Sequence, residues 1–328
     1  MPPAGLYNGR TGHGRRGFST VYSRLVIFAT LFNDPACPWG YSANPALSVL
    51  RWRYRDAIEW RLRVIVLREE PGGDFTPARQ ARSSRYFRDR CGMPFAAAPK
   101  ERPIPTARAC RALLATALLH PGREIAAMRA LQFAWFNSTE LLDGDEAIGH
   151  ALEPVAGIDV PAVLAALDSD DVTAAYAADK AAARSGAGGA TDFQGKAARD
   201  GDRVRYTAPS VIFECDGRSL EVGGFQPLEA YDVAIANLDR SIERHLPPDG
   251  PLPLLEYFTD GLATQEVAAL LAGNLVEPDR AGAEDALIDL AAAGVVVRHP
   301  LGGDALWLLK EAQERREPAS AGAYAAAL

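Results

Sequence analysis

One stretch near the start constrains the fold more than any other. The apolar run Leu25-Val26-Ile27-Phe28-Ala29-Thr30-Leu31-Phe32 stops abruptly at Asn33-Asp34-Pro35-Ala36 and is followed by Cys37-Pro38-Trp39-Gly40. β-Branched and aromatic residues bounded by turn formers read as a buried strand. Pro38 suits the first turn of a helix, where its missing N–H is no loss. Leu47, Leu50 and Tyr54 then fall at helical spacing, and residues 58–67 alternate apolar and charged before becoming continuously apolar, a second strand. The opening is therefore a βαβ unit with a cysteine at the strand-to-helix turn. A cysteine there meets unpaired backbone N–H groups and the positive end of the helix dipole, which in known cases lowers a thiol pKa to roughly 3.5–7.5. Trp39 is expected to offer a flat surface beside the sulfur. The alternative, a signal peptide, fits poorly: the apolar run is short, Arg24 sits at its edge, and no small-residue cleavage site precedes Asp34.

Further along, residues 1–20 read as disordered, and residues 68–105 as loop with a short helix. Residues 106–184 are helical in pattern, with Ala112, Leu113, Thr116 and Leu119 on one face and Asp159 capping a helix that begins Val160-Pro161. Residues 185–202, with two glycine-rich clusters, read as a linker. Residues 210–215 form a strand, Asp216-Gly217 a hairpin turn, Leu220–Val222 the returning strand, and 227–245 a helix carrying Tyr231, Ala234, Ile235 and Leu238. Residues 251–317 look like a separate small unit: a helix from Leu254, a second capped by Thr264, a third over 283–293 ending at Gly294, and two short strands flanking Gly302-Gly303-Asp304. That order is winged-helix-like. Twelve acidic and five basic residues give this unit a net charge of −7, the wrong sign for phosphate, so a packing or dimerisation role is expected instead of DNA binding.

Composition narrows the chemistry. A net charge of −7 on 328 residues argues against a nucleic-acid binder. Four cysteines without a CxxC pair and five histidines without HExxH spacing exclude a zinc motif, so no metal is expected. No apolar stretch approaches the roughly 20 residues of a membrane span, and a cytoplasmic protein is expected. Gly186-Ala187-Gly188-Gly189 lacks the lysine and the following helix of a phosphate loop, and no GxSxG occurs.

Ala208-Pro209 stands immediately before the strand at 210–215. An X-Pro bond is accessible in cis at a cost of about 0.5–1 kcal/mol, and the backbone beside it can pair with an extended substrate. Asp34-Pro35-Ala36-Cys37-Pro38-Trp39, the helical block, Ala208-Pro209-Ser210-Val211 and Gly223-Gly224-Phe225-Gln226-Pro227 together resemble the DsbA-type thioredoxin-fold oxidoreductases over about residues 24–245. The nearest branch is FrnE-like, overlapping the kappa-class glutathione transferases and hydroxychromene-carboxylate isomerases. The resemblance implies an α/β fold: a thioredoxin-like mixed sheet from residues 21–105 and 190–250 with a helical insertion at 106–189; the winged-helix-like module at 251–317 and the tail at 318–328 lie beyond it and are read from the residue pattern. It implies Cys37 as nucleophile, Pro209 as a cis-proline facing it, and Pro38, Trp39 and Ala208 as substrate-binding residues, with Gly40, Tyr41 and Ser42 in support.

The departure lies at Gly40, where the family's motif has a second cysteine that resolves the mixed disulfide. Three outcomes are open: monothiol exchange resolved by a low-molecular-weight thiol, a kappa-type thiol-dependent transferase or isomerase, or a degenerate binding or regulatory module. Cys91, in a charged segment, is the candidate for a resolving thiol; Cys110 and Cys215 read as core. No tightly bound cofactor is expected, only a small thiol as co-substrate. The expected partners are protein or small-molecule thiols and disulfides, with no nucleic acid, no membrane, and a homodimer.

Overall fold

The structure is a computed structural model that describes residues 26–72 and 75–314; the expected disordered start at 1–20 and tail at 318–328 lie outside the described residues. β1 (Ile27–Asn33) is nearly enclosed on both faces, which is why its sequence is a continuous apolar run. Cys37 caps α1 (Pro38–Ser42), which leads into α2 (Asn44–Tyr54). A 3-10 turn at Arg55–Ala57 passes the chain to β2 (Ile58–Val64), parallel to β1 from Ile27 opposite Ile58 to Asn33 opposite Val64. The second strand is shorter than its sequence pattern, because Val66 takes a left-handed φ of 58° and Leu67 turns its N–H to Asp34.

The following segment is more ordered than its composition suggests. α3 (Pro77–Cys91) is capped by Thr76, whose hydroxyl accepts from Arg79 N–H, and ends at Gly92 with φ 72°. Five helices then build the insertion: α4 (Ala107–Leu119), α5 (Glu124–Asn137), α6 (Asp145–Leu152), α7 (Val160–Ala166, capped by Asp159) and α8 (Asp170–Ala183, capped by Ser169). The expected linker at 185–202 is structured. Gly189 leads into a single helical turn, α9 (Ala190–Phe193), and β3 (Ala197–Asp200) pairs with β4 (Arg203–Tyr206) in a hairpin that turns at Gly201. The Asp-Gly-Asp sequence that read as a linker is that turn.

β5 (Ser210–Cys215) runs antiparallel to β1 and to β6 (Arg218–Gly223), giving the strand order β2-β1-β5-β6. Positive φ at both Asp216 and Gly217 makes the tight turn between them. α10 (Leu228–Leu238) covers the sheet and stops short of the expected 245. A βαβ half and a ββα half around one mixed sheet, with helices inserted between them, constitute a thioredoxin-like fold with a helical insertion.

The C-terminal segment contains α11 (Leu252–Tyr257), β7 (Leu262–Ala263), α12 (Thr264–Leu271), α13 (Arg280–Ala292), β8 (Val296–Leu301), β9 (Asp304–Leu309) and α14 (Lys310–Glu314), with strands ordered β7-β9-β8. It is not a separate unit. Val49 and Trp52 of α2 share a buried cluster with Leu254, Val267, Leu287 and Trp307. Leu306 and Leu308 join the insertion's own core. Beneath them Glu266, fully buried, accepts from Arg129 at 2.6 Å, Ser48 at 3.0 Å and Ala263 N–H at 2.9 Å. Thr264 does not cap α12 as expected. It lies inside the helix, donating to Asp304 and accepting from the Trp307 indole, and Ala263 holds the cap position.

Candidate active site

The Asn33–Cys37 turn is held by one carboxylate. Asp34, fully buried, accepts from Ala36 N–H at 2.9 Å, Leu67 N–H at 2.8 Å and Thr106 hydroxyl at 3.0 Å, with the Cys110 thiol at 3.7 Å. These bonds tie the turn to the chain beyond β2 and to the start of α4. Burial raises the Asp34 pKa, and the same hydrogen bonds oppose the rise. Cys37 N–H donates to the Asp34 carbonyl at 3.1 Å, which completes the turn.

Antiparallel pairing of β1 with β5 places Phe32 opposite Ser210 and so brings the residue before Pro209 to the cysteine. Cys37 Sγ donates to the Ala208 carbonyl at 3.3 Å, across 171 positions of sequence, and accepts from Gly40 N–H at 3.4 Å. The Ala208–Pro209 bond is cis. Cys37, Pro38, Ala208 and Pro209 therefore meet at the ends of two neighbouring strands.

The electrostatics differ from the sequence expectation. Cys37 is only 6% exposed, walled by Phe32, Ile65, Tyr206 and Ala208. Burial pushes its thiol up to about 12; the Gly40 N–H pulls the other way, Asp34 adds to the rise, and Arg205 opposes it. The expected lowering fails because desolvation outweighs the few N–H groups of a five-residue helix. In this arrangement Cys37 is a protonated thiol donating to a carbonyl. Arg205 carries no signal in the sequence because its four-residue strand, just beyond the expected linker, is too short to show alternation.

The other expected residues separate clearly. Trp39 is half-buried rather than free, its ring 4.7 Å from Phe87 and 5.1 Å from Phe225. Gly40 is a close approach: a Cβ there would lie 2.0 Å from Asn33 Oδ1, and that oxygen already accepts the Asp34 N–H at 2.8 Å. The Asn33 carboxamide thus fills the space a side chain at position 40 would need. Tyr41, expected to support a bound thiol, is fully enclosed instead, stacked on Phe136 and accepting from Asn137 Nδ2 at 3.2 Å. Ser42 is buried with its hydroxyl unpartnered. Cys91 ends α3, half-buried against the insertion core, while Cys110 and Cys215 are buried; all four thiols are free.

A cavity of about 440 Å³ opens beside the turn, touching Ala36 and Pro38. Trp135 and Phe136, read from sequence as insertion core, are buried and also form part of its wall. Lys100, in a stretch that read as loop, lines it too. Nothing in the sequence signals this cavity, because its wall gathers segments far apart along the chain.

No protein-family model and no curated protein matches the chain. Solved structures do. An inferred protein disulfide isomerase from Nitrosomonas europaea is 16% identical, with 65% of this chain and 97% of that one covered and a TM-score of 0.52. The cytosolic disulfide reductase DsbM from Pseudomonas aeruginosa is 15% identical over 65% of this chain and 100% of its own, with a TM-score of 0.47, too low to carry an argument. The Nitrosomonas likeness extends over almost the whole of that protein, and what it shows is the shared thioredoxin-like fold with its helical insertion.

Proposed function

We propose that the chain is a thiol–disulfide oxidoreductase of the DsbA type, FrnE-like branch, acting as a monothiol through Cys37. The supporting observation is the placement of Cys37 Sγ between Gly40 N–H and the Ala208 carbonyl, at the end of β1 and beside the turn into β5. An extended disulfide lying along Ala208 and Pro209 displaces the resting S–H···O contact. The Cys37 thiol gives its proton to solvent, its sulfur attacks one sulfur of the substrate and forms a Cys37 mixed disulfide, and the other half leaves as a thiolate that takes up a proton. A low-molecular-weight thiol then attacks the mixed disulfide, forming a new disulfide with the bound half and returning Cys37. The overall change is an interchange: one disulfide and one thiol become another disulfide and another thiol. Pro38 and Trp39 shape the approach. The partners in this reading are protein or small-molecule thiols and disulfides, in a cytoplasmic setting that supplies the resolving thiol.

The cavity beside Pro38 favours a second reading, a kappa-type thiol-dependent transferase or isomerase, since it leaves room for another small molecule. Calorimetric titration that finds no affinity for any small thiol removes it. The leading reading is tested by stopped-flow exchange with a model disulfide. Cys37→Ser is expected to abolish it, and unchanged exchange would show that the reaction does not run through Cys37. With the thiol held near 12, the wild-type rate is expected to climb with pH and show no plateau below about pH 10, because the thiolate fraction grows tenfold per unit.

A further inference from the structure

We infer that the small cavity between β1, β2, α2 and α5 binds a single small anion of the halide class. It holds about 20 Å³, a little more than the roughly 10–15 Å³ that one water needs, so it admits a monatomic ion and leaves no room for a phosphate. Its lining includes Arg51 and Arg129 and, among the described residues, no aspartate or glutamate. Leu31, Leu47 and Leu62 close it with hydrocarbon. The two orphaned polar atoms of its lining are both N–H donors: Trp60 Nε1 and Arg129 Nε, each buried without a partner, in the case of Arg129 on a residue only 5% exposed. Gln132, which accepts from the lining Asn44 at 3.0 Å, leaves its Nε2 unpartnered as well. A buried donor without a partner is costly. An anion accepts from several donors at once, whereas a water brings two protons that need acceptors of their own. Charge points the same way. Arg129 already holds Glu266 at 2.6 Å. The Arg51 guanidinium lies over the Phe258 ring at 5.3 Å and makes no hydrogen bond or ion pair among the described residues. Asp260, the other acid that acts on Arg51, pairs with Arg123 at 3.0 Å. Two guanidiniums therefore share one carboxylate, and burial together with the Arg129 charge lowers the Arg51 pKa. An anion between them supplies the missing negative charge.

Binding here requires no turnover, so a chain inactive in disulfide exchange can still hold the ion, and an active one can lack it. The test is thermal unfolding of the full chain in sodium chloride and in sodium gluconate at equal ionic strength, with the chlorine NMR line width as the direct readout of binding. Gluconate is too large for the cavity. Chloride is expected to raise Tm saturably, by about 2–4 °C over gluconate once it exceeds its dissociation constant about tenfold. The wild-type chain is expected to broaden the chloride signal, and added bromide to reverse the broadening by competition. Arg51→Met removes the charge that has no carboxylate of its own while leaving Arg129 and Glu266 in place; it is expected to lose both the rise in Tm and the excess broadening. Arg51→Lys, which keeps a cation without the planar fork, is the second variant and decides the matter if the first does not fold; it is expected to bind chloride at least about tenfold more weakly. Equal Tm in the two salts with no excess broadening would mean that the cavity holds only water and would overturn the assignment. A full chloride response in folded Arg51→Met, or undiminished affinity in Arg51→Lys, would place the ion elsewhere and overturn it too.

Discussion

At position 40 a side chain and the Asn33 carboxamide compete for one space. The motif's missing second cysteine is therefore a matter of packing as well as of sequence. Gly40→Cys alone is expected to destabilise the protein by about 1–3 kcal/mol through overpacking, and the introduced thiol is expected to form no disulfide with Cys37. Adding Asn33→Ala clears the space, and the disulfide is expected to form on oxidation. Thiol titration with urea unfolding checks both. A disulfide in the single variant would show that Asn33 yields readily. Residue signals were legible where they are local. Cys37, Pro38 and Pro209 announce themselves by turn residues and by their place next to apolar runs. The burial of Cys37 was not legible, because Ile65, Tyr206 and Ala208 reach it from other parts of the chain. Lys100 gave no sign either: an isolated lysine in a proline-rich stretch looks like any surface residue until Ser138 and Glu140 are seen around it.

Among the elements, strands and helices with strong periodicity appeared where the sequence placed them: β1, β5, the insertion helices and α13. Those set by tertiary demand did not. β3 and β4 contain four residues each, too few to show alternation. β2 stops where Asp34 captures Leu67 N–H, a contact between segments far apart in sequence. The joint between α2, α5 and α12 was also hidden, because Ser48, Arg129 and Glu266 each read as an ordinary polar helix residue. In the structure the Arg129–Glu266 pair is buried, and Arg129 also donates to the Gly261 carbonyl at 3.1 Å, while its Nε stays unpartnered. Glu266→Gln is expected to cost about 3–5 kcal/mol by leaving a buried guanidinium without its charge partner. The double variant Arg129→Met/Glu266→Gln is expected to cost less than the sum of the singles by more than about 1 kcal/mol. Chemical denaturation of the four proteins closes the cycle; additive losses would mean that the pair does not act as one joint.

Across the whole molecule, the three parts legible in the sequence share their cores. Tyr41, Val64 and Val66 of the sheet region pack with the insertion helices, and Val49 and Trp52 pack under the C-terminal segment. The charge separates in the opposite sense: the C-terminal segment is acidic, while α3 carries Arg79, Arg82, Arg85, Arg88 and Arg90 beside the site. Cys37 and its turn therefore sit near a cationic helix, in a chain whose overall sign gave no hint of it. In the proposed chemistry Cys37 reacts and no other thiol of the chain resolves it. Intact-mass spectrometry of the whole chain after exposure to glutathione disulfide tests it most directly. A single glutathione adduct is expected, mapped to Cys37, persisting once excess disulfide is removed and released only by added thiol. No adduct at Cys37, or its spontaneous replacement by an internal disulfide to Cys91, would contradict the account.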